Sequence, residues 1–79
     1  MKLSEAMSKK LLKLCGERGI SVNKLAELSC LTQSTVQNIV DCNSNNPKML
    51  TIVRVCDGLG ISLTDFFDDE LFLKIDRED

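Results

Sequence analysis

Histidine, tryptophan and tyrosine are absent from this chain, and proline occurs once. Without histidine, the commonest proton shuttle near neutral pH and the commonest nitrogen ligand for zinc are both missing. No Ser or Cys stands beside an evident base, so most acid–base and nucleophilic catalysis is set aside. No enzyme is expected, and no catalytic residue is assigned. With no Trp or Tyr and only three Phe, there is no aromatic platform on which unpaired bases could stack, which argues against the common modes of RNA and single-strand recognition. The four cysteines, at 15, 30, 42 and 56, include no close Cys-x-x-Cys pair, and each falls on or beside an apolar stripe. They read as buried, reduced thiols, with neither a metal site nor a disulfide framework, and no cofactor is expected. Long apolar runs are lacking as well. Nothing approaches a membrane span, and the opening MKLSEAMSKK has no apolar core of a secretory signal, so the expected location is cytoplasmic with no membrane partner.

What is present is concentrated between Ser21 and Cys42, SVNKLAELSCLTQSTVQNIVDC. It divides into two short amphipathic segments around a tight turn, the layout of a helix-turn-helix. Ser21 is an N-cap candidate for a helix from Val22 to Leu28 or Ser29, with Leu25, Ala26 and Leu28 inward. Ala26 matters because only a small side chain lets two steeply crossed helices approach closely. Thr32 can cap a second helix running to Asp41, with Leu31 folded back as a hydrophobic staple. Along that helix Val36, Ile39 and Val40 share one side, with Thr35 at the margin, while Gln33, Ser34, Gln37, Asn38 and Asp41 share the other. Solvated helix faces usually carry Lys and Glu. Amides offer a donor and an acceptor together, and Gln or Asn can bond adenine bidentately in the major groove of a duplex.

These residues resemble the Cro/repressor-type, or XRE, helix-turn-helix family. The likeness covers about residues 8 to 67: ERGIS before the first motif helix, the LAEL core, the TQSTVQNI segment, and LGISLTDFF from Leu59 to Phe67. It implies an all-α, compact five-helix, repressor-like DNA-binding domain in which helices 2 and 3 form the motif and helix 3 enters the major groove. Gln33, Ser34 and Gln37 then become candidate base readers, with Asn38 beside them at a flanking base or the backbone. Thr32 and Thr35 are assigned to the backbone. Val22 stands where the family often has a phosphate-touching Gln, leaving Asn23 or Lys24 to substitute. Cys30 and Cys42 stand where the family usually has Gly, and Asn43 is expected to serve as the left-handed terminator after helix 3.

The remaining segments read as scaffold. Ser4 can cap a first helix to about Arg18, with Met7, Leu11, Leu14, Cys15 and Arg18 at helical spacing, Gly16 inside it and Gly19 as the stop. Asn43-Ser44-Asn45-Asn46-Pro47 is a loop by composition. Because it follows the reading helix, Asn43, Ser44 and Asn45, together with Lys48, are candidates for phosphate contact. A fourth helix from about Lys48 to Gly58 turns Met49, Ile52, Val53, Cys56 and Leu59 to the core. Ser62 caps a fifth helix, with Asp65 three residues on, and Phe66 and Phe67 close the core.

At 79 residues and 43% hydrophobic content, the chain can bury one core without disulfides. Residues 1–67 form the DNA-binding domain, and 68–79 form an acidic, apolar tail. The net charge of −2 is unevenly spread. Residues 1–50 hold seven Lys or Arg against four Asp or Glu, whereas 51–79 hold three against eight. Lys9, Lys10, Lys13, Lys24 and Lys48 are the cations available to meet phosphate. In the tail, Leu71, Leu73 and Ile75 alternate with polar neighbours. That segment either pairs as a strand with a twofold mate or extends helix 5 and lays Leu71 and Phe72 on its own domain.

The function expected is sequence-specific double-stranded DNA binding by a homodimeric transcriptional regulator, most simply a repressor, with no small-molecule ligand. A protein-interaction module, antirepressor or antitoxin-like, using the acidic C-terminal face is the alternative.

Overall fold

The computed structural model describes residues 1–44 and 46–77, and among them every regular element is helical. In chain order these are α1 (Leu3–Arg18), α2 (Val22–Leu28), α3 (Gln33–Val40), α4 (Met49–Leu59) and α5 (Leu63–Phe67), followed by a 3-10 helix over Glu70–Lys74. No described helix is long and apolar enough to cross a membrane.

Side-chain oxygens start three of the helices. Ser21, Thr32 and Ser62 each accept the backbone N–H three residues on, at 3.1, 3.2 and 3.0 Å, satisfying a donor that the first helical turn leaves unpaired. The first helix differs from expectation. It begins two residues earlier, behind Lys2 in place of Ser4, and the Lys2 N–H donates to the Glu5 carboxylate at 3.4 Å. Ser4 lies inside the helix and is buried. Its neighbour one turn on, Ser8, donates its hydroxyl to the Val40 carbonyl at 2.6 Å. These small side chains let α1 sit close against the end of α3, and Ser8 fixes that end.

Helices α1 to α4 all stop with one bond pattern, in which the residue after a left-handed position donates back five residues. Ile20 donates to Cys15 at 3.0 Å, Leu31 to Ala26 at 2.9 Å, Asn43 to Asn38 at 2.9 Å and Ile61 to Cys56 at 3.0 Å. Glycine occupies the left-handed position at Gly19 (φ 63°) and Gly60 (φ 69°), but cysteine does so at Cys30 (φ 55°) and Cys42 (φ 60°). Asn43 is therefore not the terminator after α3. The chain reverses one residue earlier, where a Cβ-bearing residue takes a conformation costing roughly 1–2 kcal/mol. Because helix ends lie at the surface, Cys30 and Cys42 are exposed and not buried as expected, while Cys15 and Cys56 are in the core. Burial pushes the Cys15 and Cys56 thiols above their ordinary pKa, keeping them neutral.

The core gathers Leu11, Leu25, Val36, Ile52, Val55 and Phe66 as its most enclosed large side chains. Several registers differ from expectation. In α2 the inward stripe runs through Val22, Leu25, Ala26 and Ser29, so Leu28 falls off its edge and is exposed. In α4 the stripe is turned toward Val55. Met49, on the first turn, is exposed and Val53 only half-buried. Arg18 of α1 is exposed.

Phe67 does not close the core. It is exposed on one side, and its ring meets Phe66 and Phe72 edge-on at 5.0 and 4.9 Å. Phe72, from the tail, packs against the core in its place. The tail is neither a strand nor a continuation of α5. Asp69 restarts the chain as a cap, accepting the Leu71 N–H at 3.0 Å, and the resulting 3-10 turn packs on α1. The other oxygen of Asp69 accepts from Lys10 and Lys13 at 3.0 and 2.9 Å. Lys10 is buried and lies 5.9 Å from the Phe66 ring centre. Further on, the Asp76 N–H donates to the Met1 carbonyl at 2.8 Å.

Candidate nucleic-acid interface

Helix α3 is held by its apolar side and left open on the other. Val36 and Ile39 are buried and Val40 half-buried, while Gln33, Ser34 and Asn38 are exposed on the opposite surface. Three uncharged hydrogen-bonding groups therefore project from a short convex helix. Gln37 is half-buried, and its amide Nε2 donates to Asp41 Oδ1 at 2.9 Å. This fixes the amide orientation and leaves its carbonyl oxygen as the free end. At the start of α3 the hydroxyls of Thr32 and Thr35 bond each other at 2.8 Å, so both are partly committed to the cap.

A groove of about 440 Å³ adjoins this helix, with one wall from Thr35 and Asn38 and the other from Lys48, Thr51 and Arg54 of α4. Ser44, Asn46 and Pro47 line its end, and Leu31, Ile39 and Leu50 supply apolar surface. Of the residues proposed from sequence, it gathers Thr35, Asn38, Ser44 and Lys48. Gln33, Ser34, Gln37 and Asn43 lie outside its walls. Asn45 is outside the described residues. Asn23 and Lys24 are at the start of α2, Asn23 and Lys24 both exposed, with Lys24 Nζ 3.6 Å from Glu27.

The cation inventory needs correcting. Lys10 and Lys13 share the single carboxylate of Asp69, so the tail offsets one of their two charges and ties both ammonium groups down, while Lys9 stays exposed. The Asp69 carboxyl is held well below the usual range, first by the Leu71 N–H and then by the two lysines. Arg54, by contrast, was not among the residues expected to act. Its signal was the i,i+4 spacing of Leu50 and Arg54, which puts both on the exposed side of α4 away from Ile52, Val55 and Cys56, with Thr51 at the margin.

A five-helix body with a capped α2–turn–α3 unit and an open polar face on α3 can be set beside known proteins. The family model of the Cro/C1-type helix-turn-helix DNA-binding domain matches residues 10–71. The chain belongs to that family. Its role is accordingly DNA binding in transcription regulation. Among solved structures, this Cro/C1-type chain is similar to the prophage Lp1 protein 11, with 40% identity, a TM-score of 0.78, and coverage of 87% of this chain and 92% of that one. Comparison with curated proteins gave no match.

The family assignment explains why α2 and α3 are so short. They need only fix one angle and one exposed face. Ala26 at 3% exposure is the small contact that this crossing requires.

Proposed function

We propose that this protein is a sequence-specific repressor that lays α3 in the major groove of double-stranded DNA, binding as a homodimer and occluding a promoter in the cytoplasm. The observation that carries this reading is the exposed polar surface of Gln33, Ser34 and Asn38, backed by a buried apolar face. Such groups cost little to desolvate compared with charges, and they match base edges in both donor and acceptor. Gln37, tethered through its Nε2 to Asp41, offers an acceptor to a base amine. Asn43, Ser44, Asn45 and Lys48, with Thr32, Thr35, Asn23 and Lys24, set the register on the phosphates.

Few free cations make nonspecific affinity modest, which favours a dimer whose two α3 helices engage half-sites about one DNA turn apart. No small-molecule ligand or cofactor enters this scheme. In the alternative reading, a protein-interaction role for the acidic tail, Asp69 is engaged by Lys10 and Lys13 while Asp68 and Glu70 stay exposed.

Selection of bound duplexes from a random library tests the reading. Recovery of a palindrome whose affinity falls steeply with salt is expected, and failure to retain any duplex at low salt refutes it. Within the selected site, Gln33→Ala is expected to cost about 1–3 kcal/mol at one base position and to relax preference there. Uniform weakening at all positions would instead make Gln33 a phosphate contact.

A further inference from the structure

The groove beside α3 has a charge character that the chain as a whole does not. Its lining holds two cations, Lys48 and Arg54, and no carboxylate, in a protein of net charge −2. Both cations are exposed, and among the described residues neither has an ion-pair partner. Lys10 and Lys13, by contrast, are engaged by Asp69, and Lys24 by Glu27. Positive groups left unpaired around a concave surface, with hydroxyls of Thr35 and Thr51 between them, complement an anion bearing several acceptor oxygens. The apolar surface of Leu31 and Leu50 beside them lowers the local dielectric and strengthens such a contact.

We infer that Arg54 is a DNA-backbone residue: its guanidinium, with the Lys48 ammonium, takes a phosphate of the strand that borders the bases met by Asn38. This rests on α3 entering the major groove. Asn38 stands on the rim shared by the reading face and this groove. A strand bounding the major groove at Asn38 therefore runs along the wall that α4 supplies. Arg suits the position because its planar fork can give two hydrogen bonds to one phosphate. Arg54 thereby anchors α4 to the duplex from the middle of the helix, about one and two-thirds turns beyond Lys48 at its start.

The test uses the full chain and its selected operator, with affinity measured by fluorescence anisotropy across a series of salt concentrations. Arg54→Ala is expected to weaken the operator and its base-substituted variants by one common factor, roughly fivefold or more, and to reduce the slope of log affinity against log salt by about 1.8, about 0.9 for the phosphate lost by each protomer of the dimer. Arg54→Lys should restore the slope but not all of the affinity. Thermal stability and sedimentation mass should match the parent for both variants. Unchanged affinity and slope in Arg54→Ala overturn the inference while the parent's binding leaves the proposed function standing. A parent that binds no duplex overturns both. A loss confined to one base position would make Arg54 a base reader, and a loss that tracks a fall in sedimentation mass would give the groove to a second copy of the chain. Either outcome also overturns the inference.

Discussion

Substituting alanine for Gly58 should damage this protein, although alanine is the better helix former. Gly58 lies near the end of α4, where that helix crosses the end of α2. A Cβ built there would lie 2.6 Å from the Leu28 carbonyl oxygen, 2.8 Å from its carbon and 3.0 Å from Ser29 Cα. All three are backbone atoms, so no rotamer change relieves the clash. Reaching an ordinary contact of 3.4 Å requires the two helices to part by about 0.8 Å. Alanine contributes about 1 kcal/mol of helix propensity over glycine, against an overpacking cost of about 1–3 kcal/mol. Parting the helices also loosens contacts around Leu25, Ala26, Val55 and Leu59 in the same core. The net expectation is destabilisation by about 1–2 kcal/mol, a fall in Tm of about 5–15 °C for a domain of this size.

Gly16 supplies the internal control. It too is inside a helix, but nothing lies within 4 Å of the added Cβ, so Gly16→Ala should raise stability by up to about 1 kcal/mol. Thermal and urea unfolding followed by circular dichroism measures both. The same substitution should move the midpoint in opposite directions at the two sites. If Gly58→Ala is neutral or stabilising, the close-approach argument fails. Function should follow geometry as well, since α3 and α4 form the two walls of the groove and a shift between α2 and α4 misaligns them. Affinity for DNA should then fall by more than the unfolded fraction explains.

Two further perturbations probe the helix ends and the tail. Cys30→Gly should stabilise the fold by about 0.5–1 kcal/mol, because relief of left-handed strain at φ 55° exceeds the entropic cost of glycine. A lowered urea midpoint would show that the Cys30 side chain contributes more than its backbone costs. Asp69 should make docking of the tail acid-sensitive. Its carboxyl is depressed in the folded state, so its contribution is complete above the ordinary carboxylate pKa near 4 and is lost as pH falls below that toward the folded value. The stability gap between the parent and Asp69→Asn should accordingly close in acid, alongside faster hydrogen exchange at Leu71 and Phe72. A gap that stays constant from neutral pH down to about 2.5 would contradict the assignment.

The features legible in the sequence are those whose causes lie within four residues. Ser21, Thr32 and Ser62 cap because the N–H each accepts is three positions away, and the exposed side of α3 follows from the spacing of Val36, Ile39 and Val40. The family resemblance extended that reach to the whole body. What stayed hidden depends on residues far apart in the chain. Lys10 and Lys13 look like a solvated cationic face until Asp69, 59 and 56 residues on, is folded against them. Phe67 and Phe72 exchange roles because the tail turns back at Asp69, and Leu28 is left outside because α4 meets its backbone at Gly58.

The candidate interface divides along the same line. Gln33, Ser34 and Asn38 are exposed as their spacing requires, whereas Arg54 joins them only across a groove between two helices. Charge is the sharper case. A tally over residues 1–50 counts Lys10 and Lys13 toward a phosphate-binding surface, and a tally over residues 51–79 counts Arg54 as a minor offset in an acidic segment. Folding shifts the two assignments: Asp69 engages the two lysines and offsets one of their charges, and α4 sets Arg54 in the groove that Asn38 also lines. For a chain this small and slightly acidic, affinity for a polyanion depends on which few cations remain unpaired and on which helix wall they stand, so pairing and not net charge decides the electrostatic footprint.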